Sequence, residues 1–344
     1  MKQLSVFIPG LFGPLPELAA SAIEPATPLL NKMLSRARCE TTTASDYYQQ
    51  LAALLAVDKT VSIAQLSALA DGISLSAAHV YRADPVHFKA EVDHALLIDC
   101  HQLAVTAPEM VALLDAFNQH FEDDGLQLHG NYPERWYLSL PEKFALETTS
   151  LKDAVGRDVK HFLPVGDDAL EWRRLLNEAQ MLFHMQAVNQ QRTDAGRLTI
   201  NSLWLWGEND LSELVEQAPV EPAIDCIIAD EVIARGMAQL AGCPLSSTHN
   251  AMDVLAEEHQ HAVLVIDTLM GPASYGDVNA WAESVEQLCE QWLKPLYDLL
   301  KTKQLAAINL YSAEGRVFHI TPARLLTFWR RSRPLTQYIK HANE

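Results

Sequence analysis

Residues 261–267, HAVLVID, and residues 305–312, LAAINLYS, are two short apolar runs, and the chain between them decides the fold. From Trp281 to Lys301, the residues Trp281, Val285, Leu288, Trp292, Leu296 and Leu299 recur three or four positions apart, one apolar stripe of a helix lying on a sheet. Val263–Ile266 and Leu305–Leu310 read as buried strands. The unit is therefore strand, helix, strand, the right-handed crossover of a parallel sheet. Outward from it, short apolar runs keep alternating with amphipathic stretches, which predicts an α/β protein. A first strand is expected at Leu4–Ile8, running into Pro9-Gly10, and a closing hairpin at Ser312–Gly315.

The middle of the chain reads differently. Ala95–Ile98, Leu126–His129 and Arg135–Leu140 are short strands around a helix whose stripe is Leu113, Leu114, Phe117 and Phe121, with Gly125 closing it. A second helix is expected to start at Asp168, with Glu171 completing a capping box, and to bury Leu175, Leu176, Ala179, Leu182 and Phe183. The predicted organisation is a discontinuous core, residues 1–78 and 191–344, interrupted by a smaller α+β domain at 79–190.

Composition narrows the function classes. The 344 residues are 49% hydrophobic, which excludes a disordered chain. Lys and Arg number 26 against 44 Asp and Glu, a net charge of −18, so nucleic acid and acidic membranes are expected to be repelled. A few converging arginines would still hold a phosphorylated or carboxylated small molecule. Cys39, Cys100, Cys226, Cys243 and Cys289 are scattered, with no C-x-x-C pair, which fits thiols in a reducing cytoplasm. Ala20-Ser21-Ala22 imitates a signal-peptidase site, but Pro9-Gly10 and Gly13-Pro14 break the stretch before it, and no apolar run reaches membrane-spanning length. The basic, aromatic run FWRRSRPL (328–335) reads as a solvated helix end beside acidic neighbours.

Taken alone, each chemical motif has a plain alternative. The two tryptophans of N-S-L-W-L-W-G (201–207) either fill a core or wall a pocket. His259 and His261 could hold a metal, yet their acidic context reads as a polar loop. Ser45-Asp46, ahead of an apolar helical stretch, is a nucleophile at a helix start or its N-cap. Arg82, Arg135, Arg157, Arg173, Arg192 and Arg197 gather around the middle unit, beside Asn189 and Asn201, in the bidentate chemistry that anions require.

The runs L-P-V-G-D-D-A-L (163–170), V-N-Q-Q-R (188–192) and G-R-L-T-I-N-S-L-W-L-W-G (196–207), with I-I-A-D-E-V-I-A-R-G-M-A-Q-L-A-G (227–242), resemble the archaeal-type cofactor-independent phosphoglycerate mutases of the alkaline phosphatase superfamily. Blocks along nearly the whole chain are also similar to the proteobacterial RpfE-type regulatory proteins: Y-R-A-D-P-V-H (81–87), F-N-Q-H-F-E-D-D-G-L (117–126), P-E-R-W-Y-L (133–138), V-G-R-D-V (155–159) and F-W-R-R (328–331). The resemblance implies an alkaline-phosphatase-like core sheet flanked by helices, with the inserted domain. In the mutases it also implies two divalent cations, such as manganese or zinc, that activate a serine. The first strand of such enzymes ends in a metal-binding aspartate, where this chain has Phe7-Ile8-Pro9-Gly10. Their Asp-Glu-Ala-Gly-His motif corresponds to Met270-Gly271-Pro272-Ala273-Ser274, and their later Asp-His pair to Ser312-Ala313-Glu314-Gly315. Ser45-Asp46 falls where they carry the nucleophile loop.

These departures point to a cytoplasmic pseudoenzyme without metal or other cofactor. The expected activity is regulatory binding, with Arg82, Arg135, Arg157, Asn189, Arg192 and Asn201 around a cleft for a phosphorylated or carboxylated metabolite, and with a protein partner as a further possibility. The first alternative is a divergent metal-dependent phosphoglycerate mutase or phosphatase using Ser45, Asp46, His249, Asp267 and Asp277. The second is a protein-interaction scaffold.

Overall fold

A computed structural model describes residues 2–13, 17–18, 21, 23–41, 47–55, 57, 61–73, 75, 79–92, 94–208, 224–247, 259–312, 315–327 and 329–340. The chain divides into two compact units, residues 1–59 with 211–344, and residues 60–210. The first unit opens with β1 (Lys2–Phe7), α1 (Pro28–Arg36), β2 (Arg38–Thr41) and α2 (Tyr47–Leu55). The second holds α3 (Ile63–Ala70), β3 (His79–Ala90), β4 (Ala95–Ile98), α4 (Ala107–His120), β5 (Gln127–Tyr132), β6 (Arg135–Leu140), α5 (Ala169–His184), α6 (Ala187–Asp194) and β7 (Ser202–Trp206). The chain returns to the first unit with β8 (Cys226–Ile228), α7 (Val232–Leu240), β9 (Leu245–Ser246), β10 (His261–Val265), α8 (Met270–Ser274), α9 (Val278–Leu288), α10 (Lys294–Lys301), β11 (Leu305–Tyr311), β12 (Arg316–Ile320), α11 (Pro322–Leu325) and α12 (Leu335–Lys340).

In the first unit a seven-stranded sheet runs β2-β12-β11-β1-β10-β8-β9. The five strands from β11 to β9 are parallel, and β12 and β2 add an antiparallel edge. β1 sits between β10 and β11, so its apolar residues meet neighbours on both sides, and Leu4, Val6 and Phe7 are fully buried. The crossover read from residues 261–310 is present, with one difference. Between α9 and α10 the helix widens to a π turn over Cys289–Leu293, which leaves Trp292 partly exposed and buries Leu293 in its place. Pro295 is the physical reason: it has no N–H for the carbonyl of Gln291, so the α-helical ladder is interrupted there and the buried stripe shifts by one residue.

In the second unit β3 is long enough to serve three partners: β6 and β4 along its length and β7 across 82–86, all antiparallel. α4 and α5 cover one face, where Tyr81, Leu113, Phe117, Trp136, Leu138, Trp172 and Phe183 form a closed core. The division falls at 59/60 and 210/211, where 78/79 and 190/191 were expected: α3 packs against β3 at the first boundary, and β7 pairs with β3 at the second. α6 and the tryptophan strand belong to the inserted unit because their hydrogen bonds are made there. Both tryptophans of that strand are buried, with Trp204 Nε1 donating to the Thr149 carbonyl at 2.8 Å and Trp206 Nε1 to Asp84 Oδ2 at 2.7 Å.

Three local expectations change. Asp168 does not cap α5 through its side chain; its carboxylate accepts the backbone N–H of Ala145 at 2.7 Å instead. The helix of Leu113 and Phe117 ends at His120, and Gly125, at φ +69°, closes the turn that follows. His261 lies within strand β10 rather than in a loop, its Nε2 3.0 Å from Ser5 Oγ, both residues buried. No helix among the described residues is long and apolar enough to cross a membrane.

Asn189 joins α6 to the strand that returns from it. Its Nδ2 donates to the carbonyls of Phe183 and Ile200, and its Oδ1 accepts the Ile200 N–H, each at 2.8 Å. Asn189→Ala leaves these buried groups unpaired, so a loss of about 2–4 kcal/mol is expected in urea unfolding, against less than about 1 kcal/mol for Gln190→Ala on the exposed side of the same helix.

Candidate functional site

Open parallel sheets bind ligands beyond the carboxyl ends of their strands. At that edge of the first unit, β1 runs into Ile8–Gly10. The Ile8 N–H donates to the Tyr311 carbonyl at 3.1 Å, and Phe7 accepts from Ile266 at 2.9 Å. Gly10 turns at φ +79°, and a Cβ there would stand 2.9 Å from the Leu269 carbonyl oxygen. The Gly10 carbonyl is taken by Trp281 Nε1 at 2.8 Å, and Gly13 lies against the same indole ring. Ile8, Leu11, Phe12, Leu269 and Trp281 are fully buried. The turn after the central strand is thus packed shut by apolar side chains. Met270–Ser274, where the resemblance places a ligand motif, forms the short helix α8, and Ser312 is a buried residue whose hydroxyl donates to the Arg316 carbonyl at 3.4 Å.

The acids of this edge come from β8 and β10. Glu231 caps α7: its carboxylate accepts the Ala234 N–H at 2.8 Å and the Tyr47 hydroxyl at 3.3 Å. Burial pushes the Glu231 carboxyl up, against its backbone hydrogen bonds, and the charge of Asp267 adds to the rise. Asp267 is raised by burial too, with the charge of Asp230 contributing. Burial and the nearby Glu231 charge hold the Tyr47 phenol well above its ordinary range. Phe7 completes the surroundings, stacked on Tyr311 at 4.2 Å and edge-on to Tyr47 at 6.0 Å between ring centroids. Such a setting raises carboxyl pKa values and disfavours further negative charge.

A pair of divalent cations would need two clusters of carboxylate or imidazole donors. Among the described residues no group of three His, Cys, Asp or Glu side chains is arranged to hold a metal, and the Glu231 oxygens are committed to a helix cap and a phenol. Asp277 caps α9 by accepting the Ala280 N–H at 2.9 Å. Ser45, Asp46 and His249 lie outside the described residues.

The six residues expected around an anion cleft all belong to the second unit. Arg82 is buried, with its guanidinium on Asp84 Oδ1 at 2.5 Å and on Ser67 Oγ at 2.7 Å. Its cross-strand neighbours Tyr137 and Trp206 lie 5.5 and 5.3 Å away, ring centroid to guanidinium carbon. Hydrogen bonds continue from Ser67 to the Tyr137 hydroxyl at 2.7 Å and from that hydroxyl to Asp71 Oδ2 at 2.6 Å. Arg135 grips Asp71 bidentately at 2.9 and 3.0 Å. Burial works against the Arg135 charge, but the Asp71 hydrogen bonds and charge outweigh it and raise its pKa. Arg192 pairs with Glu109 at 2.8 Å and caps the carbonyls of Leu103 and Leu198. Asn201 bonds both backbone groups of Phe88, at 2.8 and 3.1 Å. Arg157 is exposed, 5.8 Å from the Phe162 ring. Arg82 and Arg135 share one network, Arg192 and Asn189 serve others, and five of the six are spent on internal bonds.

The sequence reading missed Asp71, Asp84, Tyr137, Tyr47 and Glu231. One signal was available: Arg82 and Asp84, two apart on a strand, share a face.

No protein-family model matches the chain. It is 20% identical over 205 residues to the 2,3-bisphosphoglycerate-independent phosphoglycerate mutase of Methanosarcina mazei, covering 58% of this chain and 50% of that one. It is 19% identical over 202 residues to the enzyme of the same name from Methanosarcina barkeri, covering 57% and 49%. The chain thus spans about half the length of these two relatives. A solved protein from Pyrococcus horikoshii superimposes over 93% of this chain and 87% of its own, with a TM-score of 0.55 at 14% identity, and so shares the fold. The chain is distantly homologous to the cofactor-independent phosphoglycerate mutases of archaeal type, and its α/β fold, a central sheet with flanking helices, is shared with the Pyrococcus horikoshii protein.

Two expectations follow. Arg82→Met leaves Asp84 buried without its cation and is expected to cost about 3–5 kcal/mol in urea unfolding, whereas Arg157→Met costs under about 0.5 kcal/mol. Glu231 has a folded pKa above the ordinary value near about 4.3, so the folded state holds its proton more tightly and loses stability as pH rises through the window between the two. Glu231→Gln is therefore expected to raise the Tm at about pH 8 and leave it unchanged near about pH 4, read by calorimetry.

Proposed function

We propose that the chain is a non-catalytic binding protein of regulatory type, descended from the cofactor-independent phosphoglycerate mutases and akin to the RpfE-type family, working in the cytoplasm without a metal. One observation supports this reading: Ile8, Leu11, Leu269 and Trp281 close the turn after β1, and Trp281 occupies the Gly10 carbonyl, where the resemblance implies a metal-binding aspartate. A serine hydroxyl with no metal or base beside it stays protonated at neutral pH and is a poor nucleophile.

The internal commitments of Arg82, Arg135, Arg192, Asn189 and Asn201 weigh against a phosphorylated or carboxylated metabolite held by them, and in favour of a protein partner. The acids Asp230, Glu231 and Asp267 at the strand ends favour a second reading, a divergent phosphoglycerate mutase or phosphatase with a rebuilt site around Ser45.

Metal content of the purified protein, with mutase and phosphatase assays in added manganese, zinc or magnesium, separates the two. The proposal expects neither stoichiometric metal nor turnover, and identical behaviour for Ser45→Ala. Bound metal together with turnover abolished by Ser45→Ala would overturn it.

A further inference from the structure

Charge is segregated near the carboxyl terminus. Residues 315–343 hold five arginines and one lysine without a single Asp or Glu, and residues 25–39 hold Lys32, Arg36 and Arg38, again without an acid. These stretches carry nine of the 26 basic residues in a chain whose net charge is −18, so all 44 acids lie elsewhere in the sequence. The fold sets the two stretches side by side. Arg36 donates to the Leu325 carbonyl, Arg330 Nη1 to the Ala37 carbonyl at 3.3 Å, and the Arg333 N–H to Ser35 Oγ at 2.8 Å. Residues 329–334 are irregular, not helical, and their near neighbour is the basic end of α1 rather than acidic side chains.

The exposed residues of this segment are both basic and apolar. Leu326 is 74% exposed and Trp329 68% exposed, and Arg330, Arg331 and Arg333 are exposed around them. Arg38 pairs with Glu40, but among the described residues no carboxylate forms an ion pair with Arg324, Arg331 or Arg333. Tryptophan and arginine are the side chains that dominate binding energy at protein interfaces, since one supplies a large rigid apolar surface and the other a planar fork of donors.

We propose that this face docks an acidic segment of a partner protein, one that carries an apolar side chain to cover Leu326 and Trp329. Charge selects that occupant. The patch attracts anions, while the remainder of the chain, holding every acid, repels them. At physiological salt the screening length is about 8 Å, so a short acidic segment seated on the patch is governed by the arginines it touches. An extended polyanion, a membrane or a nucleic acid duplex, brings its charge along the acidic surface as well and meets the repulsion. The proposal does not depend on whether the strand-end site is catalytic.

The test is fluorescence anisotropy on the full chain with a labelled synthetic peptide of glutamate and aspartate interrupted by two leucines. A lysine counterpart, phosphatidylserine vesicles and duplex DNA serve as the other probes. Binding of the acidic peptide is expected, weakening as salt is raised. Arg331→Glu with Arg333→Glu is expected to lower its affinity about tenfold or more, and Trp329→Ala about fivefold. The arginine variant changes exposed side chains, so an unaltered melting curve for it keeps the test decisive if Trp329→Ala unfolds. Equal affinity in the arginine variant, equal binding of the lysine peptide, or preference for vesicles or DNA over the acidic peptide would overturn the proposal.

Discussion

The hydrogen bond from the Trp281 indole to the Gly10 carbonyl fixes the turn at the carboxyl end of β1. β1 has parallel neighbours on both sides, and the chain leaving it turns at Gly10. A buried carbonyl in that turn needs a donor, since leaving it unmet costs about 1–3 kcal/mol. In this chain the donor is a tryptophan of the crossover helix. Once Trp281 sits there, Gly13 must approach its ring and Gly10 must approach Leu269, and both turn residues stand at positive φ. The packing around this turn is set by the same residues that satisfy its backbone.

The second unit depends on a comparable device of opposite polarity. β3 carries Arg82 between two aromatic strand neighbours and pairs it with Asp84, and the hydrogen bonds run on through Ser67 and Tyr137 to Asp71 and Arg135. Burial raises the Asp84 carboxyl, although Arg82 and Trp206 oppose that rise. A buried ion pair is weak evidence for stability, because desolvation offsets most of its Coulomb gain. Its effect here is on geometry: each donor in the chain has one acceptor, which fixes the register of β3 against β6 and β7 through side chains as well as ladders.

Much of the fold was legible because the relevant signals are local. The alternating apolar runs of β1, β10 and β11, the stripe of α9 and the exact span Ala95–Ile98 of β4 follow from periodicity over a few residues. The π turn was not, since the reading treated Lys294-Pro295 as an ordinary helical step and the shift it causes appears only in which of Trp292 and Leu293 is buried. The unit boundaries were also hidden: that β7 pairs with β3 is a contact between residues more than a hundred positions apart. The candidate site was the least legible part. Glu231 looks like any acid before a helix, and its raised pKa comes first from tertiary burial, with the charge of Asp267 adding to the rise and the Tyr47 hydroxyl working against it.

The arginines show the same limit from another side. Read from composition, those of the middle unit formed an anion site and those of FWRRSRPL a solvated end. Their fates differ by the acids within reach. Arg82 has Asp84 two residues along its strand, while Arg135 and Arg192 find Asp71 and Glu109 across the fold, and each is turned inward and neutralised. Arg331 and Arg333 stand in a stretch without acids, packed beside a helix that is basic too, and among the described residues no carboxylate pairs with them. A guanidinium is too costly to bury without a carboxylate or carbonyl to receive it, so local scarcity of acids sends these arginines to the surface. A positive surface on a strongly negative chain follows from the same rule that buries the other arginines.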